Sequence, residues 1–224
     1  MEVIGTPHSN NNNMKENINN KIVLSKSPLI VDEDYFSSLL SSHFEVLDIG
    51  QSLRDEIHFV RTKTKRLDTL DINAYESYPE IQMDLCEKIK LPDTLKYDLI
   101  FCFSILEHCY NPFIACRNLF SMLKGNSRIV GSVPFLFPHH CPDDLEYQDY
   151  FRFTKHSFVA LFPKATKIYL YPMRGRVGAG LNIVSQRYKD IFERKLKRTT
   201  SLINSIDQKR RPDQTSGFHF EIFN

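Results

Sequence analysis

Phe44-Glu45-Val46-Leu47-Asp48-Ile49-Gly50 is a largely apolar run closed by a carboxylate and a glycine. It reads as a strand covered on both faces, as parallel strands are. Gly50 then provides a turn residue without a side chain to clash. Outward from this stretch, Arg66 to Asp71 is a second strand and Glu80 to Met83 a short third. Tyr97-Asp98-Leu99-Ile100-Phe101-Cys102-Phe103 is a fourth, as apolar as the first. Arg128 to Pro134 is a fifth, and Lys167 to Tyr171 and Leu181 to Ser185 bring the count to seven. Helices are expected at Asp34 to Ser42 and from about Thr154 to Phe162. The best-marked helix opens with Asn111 as N-cap and Pro112 at its first position. Phe113, Cys116, Leu119, Phe120 and Leu123 follow at helical spacing, and Lys124-Gly125 supplies a C-terminal cation and a flexible stop. Strands alternating with helices predict an α/β protein with a doubly wound, mainly parallel seven-stranded sheet.

Composition bounds what such a sheet can serve. The 224 residues suit one domain with a sizeable core, and a net charge of +2 gives no general attraction to nucleic acid. No stretch reaches the roughly 18–20 apolar residues of a membrane helix, and no apolar signal run opens the chain. The five cysteines are odd in number and form no C-x-x-C pair, which excludes a disulfide framework and a zinc knuckle. A cytoplasmic setting follows as the expectation. The first twenty residues hold seven asparagines and are expected to form a disordered leader, residues 1–20. Residues 21–186 are the expected domain. Residues 187–224 read as a basic C-terminal segment. From Arg187 to Arg211 it carries nine Lys or Arg against three acidic residues, with Phe192, Leu196, Leu202, Ile203 and Ile206 at near-helical spacing. An amphipathic helix docked on the domain is expected there.

Ligands of a doubly wound sheet bind beyond the carboxyl ends of its strands. Four strand ends carry polar groups: Asp48-Ile49-Gly50-Gln51-Ser52, Leu70-Asp71-Ile72-Asn73, Met83-Asp84-Leu85, and Phe103-Ser104-Ile105-Leu106-Glu107-His108. Asp71 follows Gly50 by 21 residues, a spacing that suits a carboxylate binding ribose hydroxyls beside a glycine turn.

Taken in order, these stretches resemble the class I S-adenosylmethionine-dependent methyltransferases of the broad type 11 kind. Val46 to Gly50 is similar to the family's first motif. Tyr97-Asp98-Leu99-Ile100 through Leu106-Glu107-His108 is similar to its fourth-strand signature. Asp149-Tyr150-Phe151-Arg152-Phe153-Thr154 resembles a D-Y-x-R-F-T segment of one branch. The resemblance implies a Rossmann-like methyltransferase fold with S-adenosylmethionine as cofactor. Asp48 and Gly50 would place its methionine part, Asp71 the ribose, Asp84 the adenine, and Ser104 would complete that side. One departure stands out. The family's G-x-G-x-G is here Gly50-Gln51-Ser52-Leu53-Arg54. Ser52 is small enough for the loop to close on a ligand, whereas Leu53 has the bulk to crowd it.

The acceptor side is expected between Pro134 and Arg152, where Phe135, Phe137, Tyr147, Tyr150 and Phe151 can wall an apolar cavity. His139 and His140 follow the fifth strand, and His108 ends the fourth-strand motif. These three histidines are the candidate proton acceptors, since a neutral imidazole can take a proton from a hydroxyl. Arg152 is expected to pair with Asp149. No metal site is expected, because no distant Cys/His pair completes one with His139, His140 and Cys141. The function implied is methyl transfer to a small molecule or sugar intermediate. The eroded glycine motif supports an alternative, a catalytically inactive scaffold or partner subunit of the same fold. A nicotinamide-dependent oxidoreductase is disfavoured: the sequence has no G-x-G-x-x-G, and no tyrosine is followed four residues later by lysine.

Overall fold

Val46 and Leu47 are both fully buried, on opposite faces of one strand. In the computed structural model that strand, β2 (Glu45–Ile49), lies inside a single eight-stranded sheet. The structure describes residues 21–26, 29–89, 91–141, 147–175, 179–180, 183 and 214–224. The other strands are β1 (Ile22–Leu24), β3 (Arg66–Asp71), β4 (Ile81–Gln82), β5 (Tyr97–Phe103), β6 (Leu123–Pro134), β7 (Lys167–Pro172) and β8 (Gly217–Phe223). The helices are α1 (Glu33–Leu39), α2 (Ile57–Lys63), α3 (Pro112–Ser121) and α4 (Ser157–Leu161). Strand order is β1-β7-β8-β6-β5-β2-β3-β4. Every pairing is parallel except those of β8, which runs antiparallel to both β6 and β7.

Helices cover both faces, as a doubly wound sheet requires. Phe36 and Leu39 of α1 and Val60 of α2 pack with Val46, Leu67, Leu99, Phe101 and Val130. Ala115, Cys116 and Leu119 of α3 and Phe158 and Leu161 of α4 pack with Leu47, Ile100, Ile129, Phe218 and Phe220 on the other face.

Three expectations are corrected. Among the described residues the sheet has eight strands where seven were expected, with β1 added at one edge and β8 inserted near the middle. Ile183, the one described residue of the expected strand Leu181 to Ser185, is helical. The domain does not stop at residue 186, because Gly217–Phe223 from the expected basic segment fills the sheet between β6 and β7. Alternation made that strand legible in principle: Phe218, Phe220 and Ile222 are fully buried on one face. Glu221, on the other, accepts hydrogen bonds from Arg128, Tyr35 and Tyr171 at 3.1, 3.3 and 3.2 Å. The Asn-rich leader and the amphipathic helix at Arg187 to Arg211 lie outside the described residues.

The helix opened by Asn111 starts as expected: its side chain accepts the Ile114 N–H at 3.3 Å. It ends early, at Ser121, because Leu123 already pairs with Tyr97. Asn126, not Gly125, takes the left-handed conformation, at φ 58°. Lys124 instead bridges Glu45 at 2.8 Å and Asp98 at 2.7 Å, joining the starts of β2, β5 and β6. Gly131 is sterically required inside the sheet. A Cβ on Gly131 would lie 2.0 Å from the Cys102 carbonyl oxygen and 2.7 Å from the Phe220 ring.

These contacts make β8 part of the folding unit. A chain ended before Gly217 is expected to lose cooperative unfolding in urea. Phe220→Ala in the full chain is expected to lower stability by about 3–5 kcal/mol, the range for a deleted buried phenylalanine. A truncated chain that unfolds with the full-length transition would sink this assignment.

Candidate active site

The parallel strands β2, β3 and β5 deliver their carboxyl ends to one side, where a cleft of about 800 Å³ opens. Its first wall is the turn after β2. Gly50 and Gln51 both take left-handed conformations, at φ 63° and 51°. Such a conformation costs a side-chain-bearing residue about 1–2 kcal/mol. The turn is held from below and beside. Asp48 is fully buried, and its carboxylate accepts the Ser52 hydroxyl at 2.6 Å and the Leu53 N–H at 3.2 Å. Gln51 donates its N–H to the Tyr78 hydroxyl at 2.7 Å. Leu53 is buried beside Val46 and Val60, away from the cleft, so its bulk does not crowd a ligand. Asp48 therefore shapes the loop from beneath and does not line the cleft. Burial pushes its carboxyl up to about 7.

Asp71, at the end of β3, does line the cleft. Its carboxylate accepts the Asn73 N–H at 3.0 Å and the Tyr78 hydroxyl at 3.3 Å. Tyr78 thus ties the β2 turn to the β3 carboxylate, and burial together with the Asp71 charge raises its phenol above the usual range. Asp84 also lines the cleft and accepts the Cys86 N–H at 2.7 Å. Its loop is anchored by Asn118 of α3, which donates to the Leu85 and Glu87 carbonyls at 2.8 and 2.6 Å. Ser104 follows β5 in a left-handed conformation, φ 54°, and donates its N–H to the Ser132 carbonyl at 2.9 Å. Gly50, Asp71, Asp84 and Ser104 share the cleft, as expected from the sequence.

The far wall is built on Leu106-Glu107-His108, a single 3-10 turn. The Glu107 carbonyl accepts the N–H groups of Tyr150 at 2.8 Å and Phe151 at 3.2 Å, docking the later loop. That loop is locked by Arg152. Its guanidinium grips both Asp149 oxygens and donates to the Phe137 and Pro138 carbonyls at 3.0 and 2.8 Å. These hydrogen bonds hold the Asp149 carboxyl down at about 2. Asp149 in turn accepts from His140, through the backbone N–H at 3.1 Å and with Nδ1 at 3.0 Å. His108 sets its Nδ1 3.1 Å from the Gln148 carbonyl, and burial lowers its pKa. The two imidazoles meet edge to face, 5.1 Å apart.

His108 and His140 line the cleft, but His139 is exposed and does not. Of the expected aromatic wall, Phe137, Tyr147 and Tyr150 line it. Phe135 packs against Phe218 instead, and Phe151 between Tyr150 and Phe153. Glu107 is the residue whose place sequence reasoning missed. It is 1% exposed, faces the cleft, and burial pushes its carboxyl up to about 8. Its signal was the Glu107-His108 pair itself, which reads equally as the entry to α3. No metal site is expected from the sequence, yet Glu107, His108 and His140 come within ligating distance of one another.

No family model matches this sequence, and no curated protein does. Solved structures match in shape. An S-adenosylmethionine-dependent methyltransferase from Archaeoglobus fulgidus aligns with a TM-score of 0.51 at 13% identity, covering 86% of this chain and 95% of its own. One from Methanosarcina mazei aligns at 0.51 with 10% identity, covering 88% and 98%. One from Mesorhizobium loti aligns at 0.50 with 10% identity, covering 85% and 96%. The chain has the fold of the class I methyltransferases. Within that fold the Gly50 turn, Asp71 and Asp84 occupy consecutive strand ends along one cleft wall.

Asp48 has a measurable signature. Its folded-state value near 7 lies above the ordinary 3.8, so the native state keeps a proton that the unfolded chain releases. Stability is therefore highest below about pH 4 with respect to this group and falls as pH rises towards about 7. The slope is at most about 1.4 kcal/mol per pH unit. Asp48→Asn keeps an acceptor oxygen but has no proton to lose. The wild-type minus variant difference in urea-unfolding free energy is expected to decline across that window, other groups cancelling. A flat difference would show that Asp48 is ionised throughout.

Proposed function

We propose that this chain is an S-adenosylmethionine-dependent methyltransferase acting on a small-molecule or sugar acceptor. The observation that carries the reading is the convergence of the left-handed Gly50–Gln51 turn, the Asp71 carboxylate and the Asp84 loop on one cleft of the methyltransferase fold. The residues fit the cofactor. Gly50 has no Cβ, so the backbone can approach the amino-acid end. Asp71 offers a carboxylate to ribose hydroxyls, and Ile72, Met83 and Leu85 supply apolar surface for a base. A cleft of about 800 Å³ has room for a cofactor and a small acceptor together.

The cofactor supplies an electrophilic methyl group on a sulfonium sulfur. What remains for the protein is mostly placement, because holding two reactants in line removes much of the entropic barrier. The β2 turn and Asp71 fix one reactant. Phe137, Tyr147 and Tyr150 shape the space for the other, with His108 and His140 at its polar end. At the second and third glycine positions, Ser52 closes onto Asp48 and Arg54 keeps a left-handed backbone at φ 48° beside the cleft, while Leu53 between them turns into the core.

Calorimetric titration with S-adenosylmethionine and S-adenosylhomocysteine tests this directly. The wild type is expected to bind, and Asp71→Ala to bind roughly ten- to a hundredfold more weakly, or about 1–3 kcal/mol. Absence of wild-type binding at millimolar cofactor would favour the scaffold reading. Equal binding by Asp71→Ala would remove Asp71 from the site.

A further inference from the structure

We infer that Glu107, His108 and His140 form a binding site for a first-row divalent transition-metal ion at the acceptor end of the cleft. One potential ligand atom from each lies within 4.8 Å of the other two. They reach this point from separate places in the chain, the turn after β5 and the loop after β6, and the Glu107 carbonyl docks the second onto the first by accepting the Tyr150 and Phe151 N–H groups.

The hydrogen bonds around the two imidazoles determine which nitrogen each presents. A backbone carbonyl can only accept, so His108 Nδ1, 3.1 Å from the Gln148 oxygen, carries the proton. His140 Nδ1 lies 3.0 Å from Asp149, a carboxylate already gripped by Arg152, and it too is the protonated atom. In the neutral form each ring is left with a bare lone pair on Nε2. Metal-ligating histidines are oriented this way, with the second nitrogen donating to a carboxylate or a backbone carbonyl.

Glu107 is the independent observation. Its side chain is 1% exposed, yet Oε2 has no hydrogen-bond partner among the described residues. Its other oxygen stands 3.9 Å from His140 Nε2, too far for a hydrogen bond. A buried carboxylate oxygen without a partner is costly. A cation held between the carboxylate and the two imidazoles supplies the partner that Oε2 lacks. Ligands at about 2.0–2.2 Å around a tetrahedral ion stand roughly 3.4 Å apart, so a small inward movement closes the set. Two imidazoles and one carboxylate suit zinc, cobalt, manganese or iron in the divalent state rather than calcium or magnesium.

Three protein ligands leave at least one position open, and it faces the cleft. An oxygen of the acceptor, hydroxyl or carboxylate, is the group that would fill it. That last assignment rests on the methyltransferase reading, whereas the metal site does not.

The test uses the full chain, freed of metal with a chelator and titrated with Co(II) and Zn(II). Co(II) is followed by its visible ligand-field absorption and Zn(II) by calorimetry and by the rise in melting temperature. The wild type is expected to bind a single ion, and His140→Ala and Glu107→Gln to bind at least roughly a hundredfold more weakly. His139→Ala, altered at the exposed neighbour, is expected to bind as the wild type does. His140 is partly exposed, so its variant remains folded and informative even where Glu107→Gln does not. No saturable binding by the wild type, or undiminished binding by His140→Ala, would overturn the site. Cofactor titration of the metal-free wild type is run beside it. Metal binding without cofactor binding would leave this inference standing and sink the methyltransferase reading; cofactor binding without metal binding would do the reverse.

Discussion

A carboxylate buried at a strand end must find donors nearby, and Asp48 finds them in the loop that follows it. Its bonds to the Ser52 hydroxyl and Leu53 N–H pull the chain under itself. That forces two consecutive left-handed residues, of which only Gly50 lacks a side chain. The Tyr78 hydroxyl then takes the exposed Gln51 N–H and passes the connection to Asp71. The geometry of two strand ends follows from one desolvated group. The same constraint explains how the loop tolerates Ser52 in place of a glycine, with Leu53 beside it. Serine supplies the hydroxyl that the buried carboxylate needs, and leucine fills the core beneath.

The opposite wall is organised by a second buried carboxylate with the contrary solution. Glu107 uses its backbone oxygen to dock the later loop, while its side chain turns towards the cleft with one oxygen unpartnered among the described residues. Around it the neighbouring polar groups are fixed in orientation. Arg152 satisfies Asp149, Asp149 orients His140, and the Gln148 carbonyl orients His108. A network arranged around an unpartnered buried acceptor is a poor device for stability alone. Buried polar networks gain when every member is paired. Its arrangement fits the cation site proposed above.

The two walls are carried by a sheet whose continuity depends on β8. Without that strand, β6 and β7 would face each other across a gap. Gly131 and Phe220 show how closely it is fitted: the ring occupies the space that any side chain at 131 would need. Glu221, charged and central, is tolerated because Arg128 and two tyrosine hydroxyls meet it.

Much of this was legible in the amino-acid order. The apolar runs at 46–49 and 97–103, the N-cap at Asn111 and the spacing from Gly50 to Asp71 are local signals, and the elements they announce are where they were expected. The cleft-lining residues Gly50, Asp71, Asp84 and Ser104 were legible for the same reason: each lies at or just beyond the end of its strand, so the fold class alone places it. The rest depended on distant partners. Asp48 reads as a ligand-facing carboxylate until Ser52 and Leu53 are seen folded over it. His139 and His140 are indistinguishable as neighbours in sequence, and only the docking of Asp149 turns one towards the cleft and leaves the other outside. β8 hid behind a basic stretch because its partners, β6 and β7, are far from it along the chain. Glu107 and His108 announced a motif, but their meeting with His140 depends on the later loop, which Arg152 closes on itself and the Glu107 carbonyl docks. Residue order thus determined most of the strands, the fold class and the strand ends that line the cleft, since those follow from local periodicity. Tertiary structure decided which buried polar groups are satisfied and which remain open, because that balance is struck between residues that no local pattern connects.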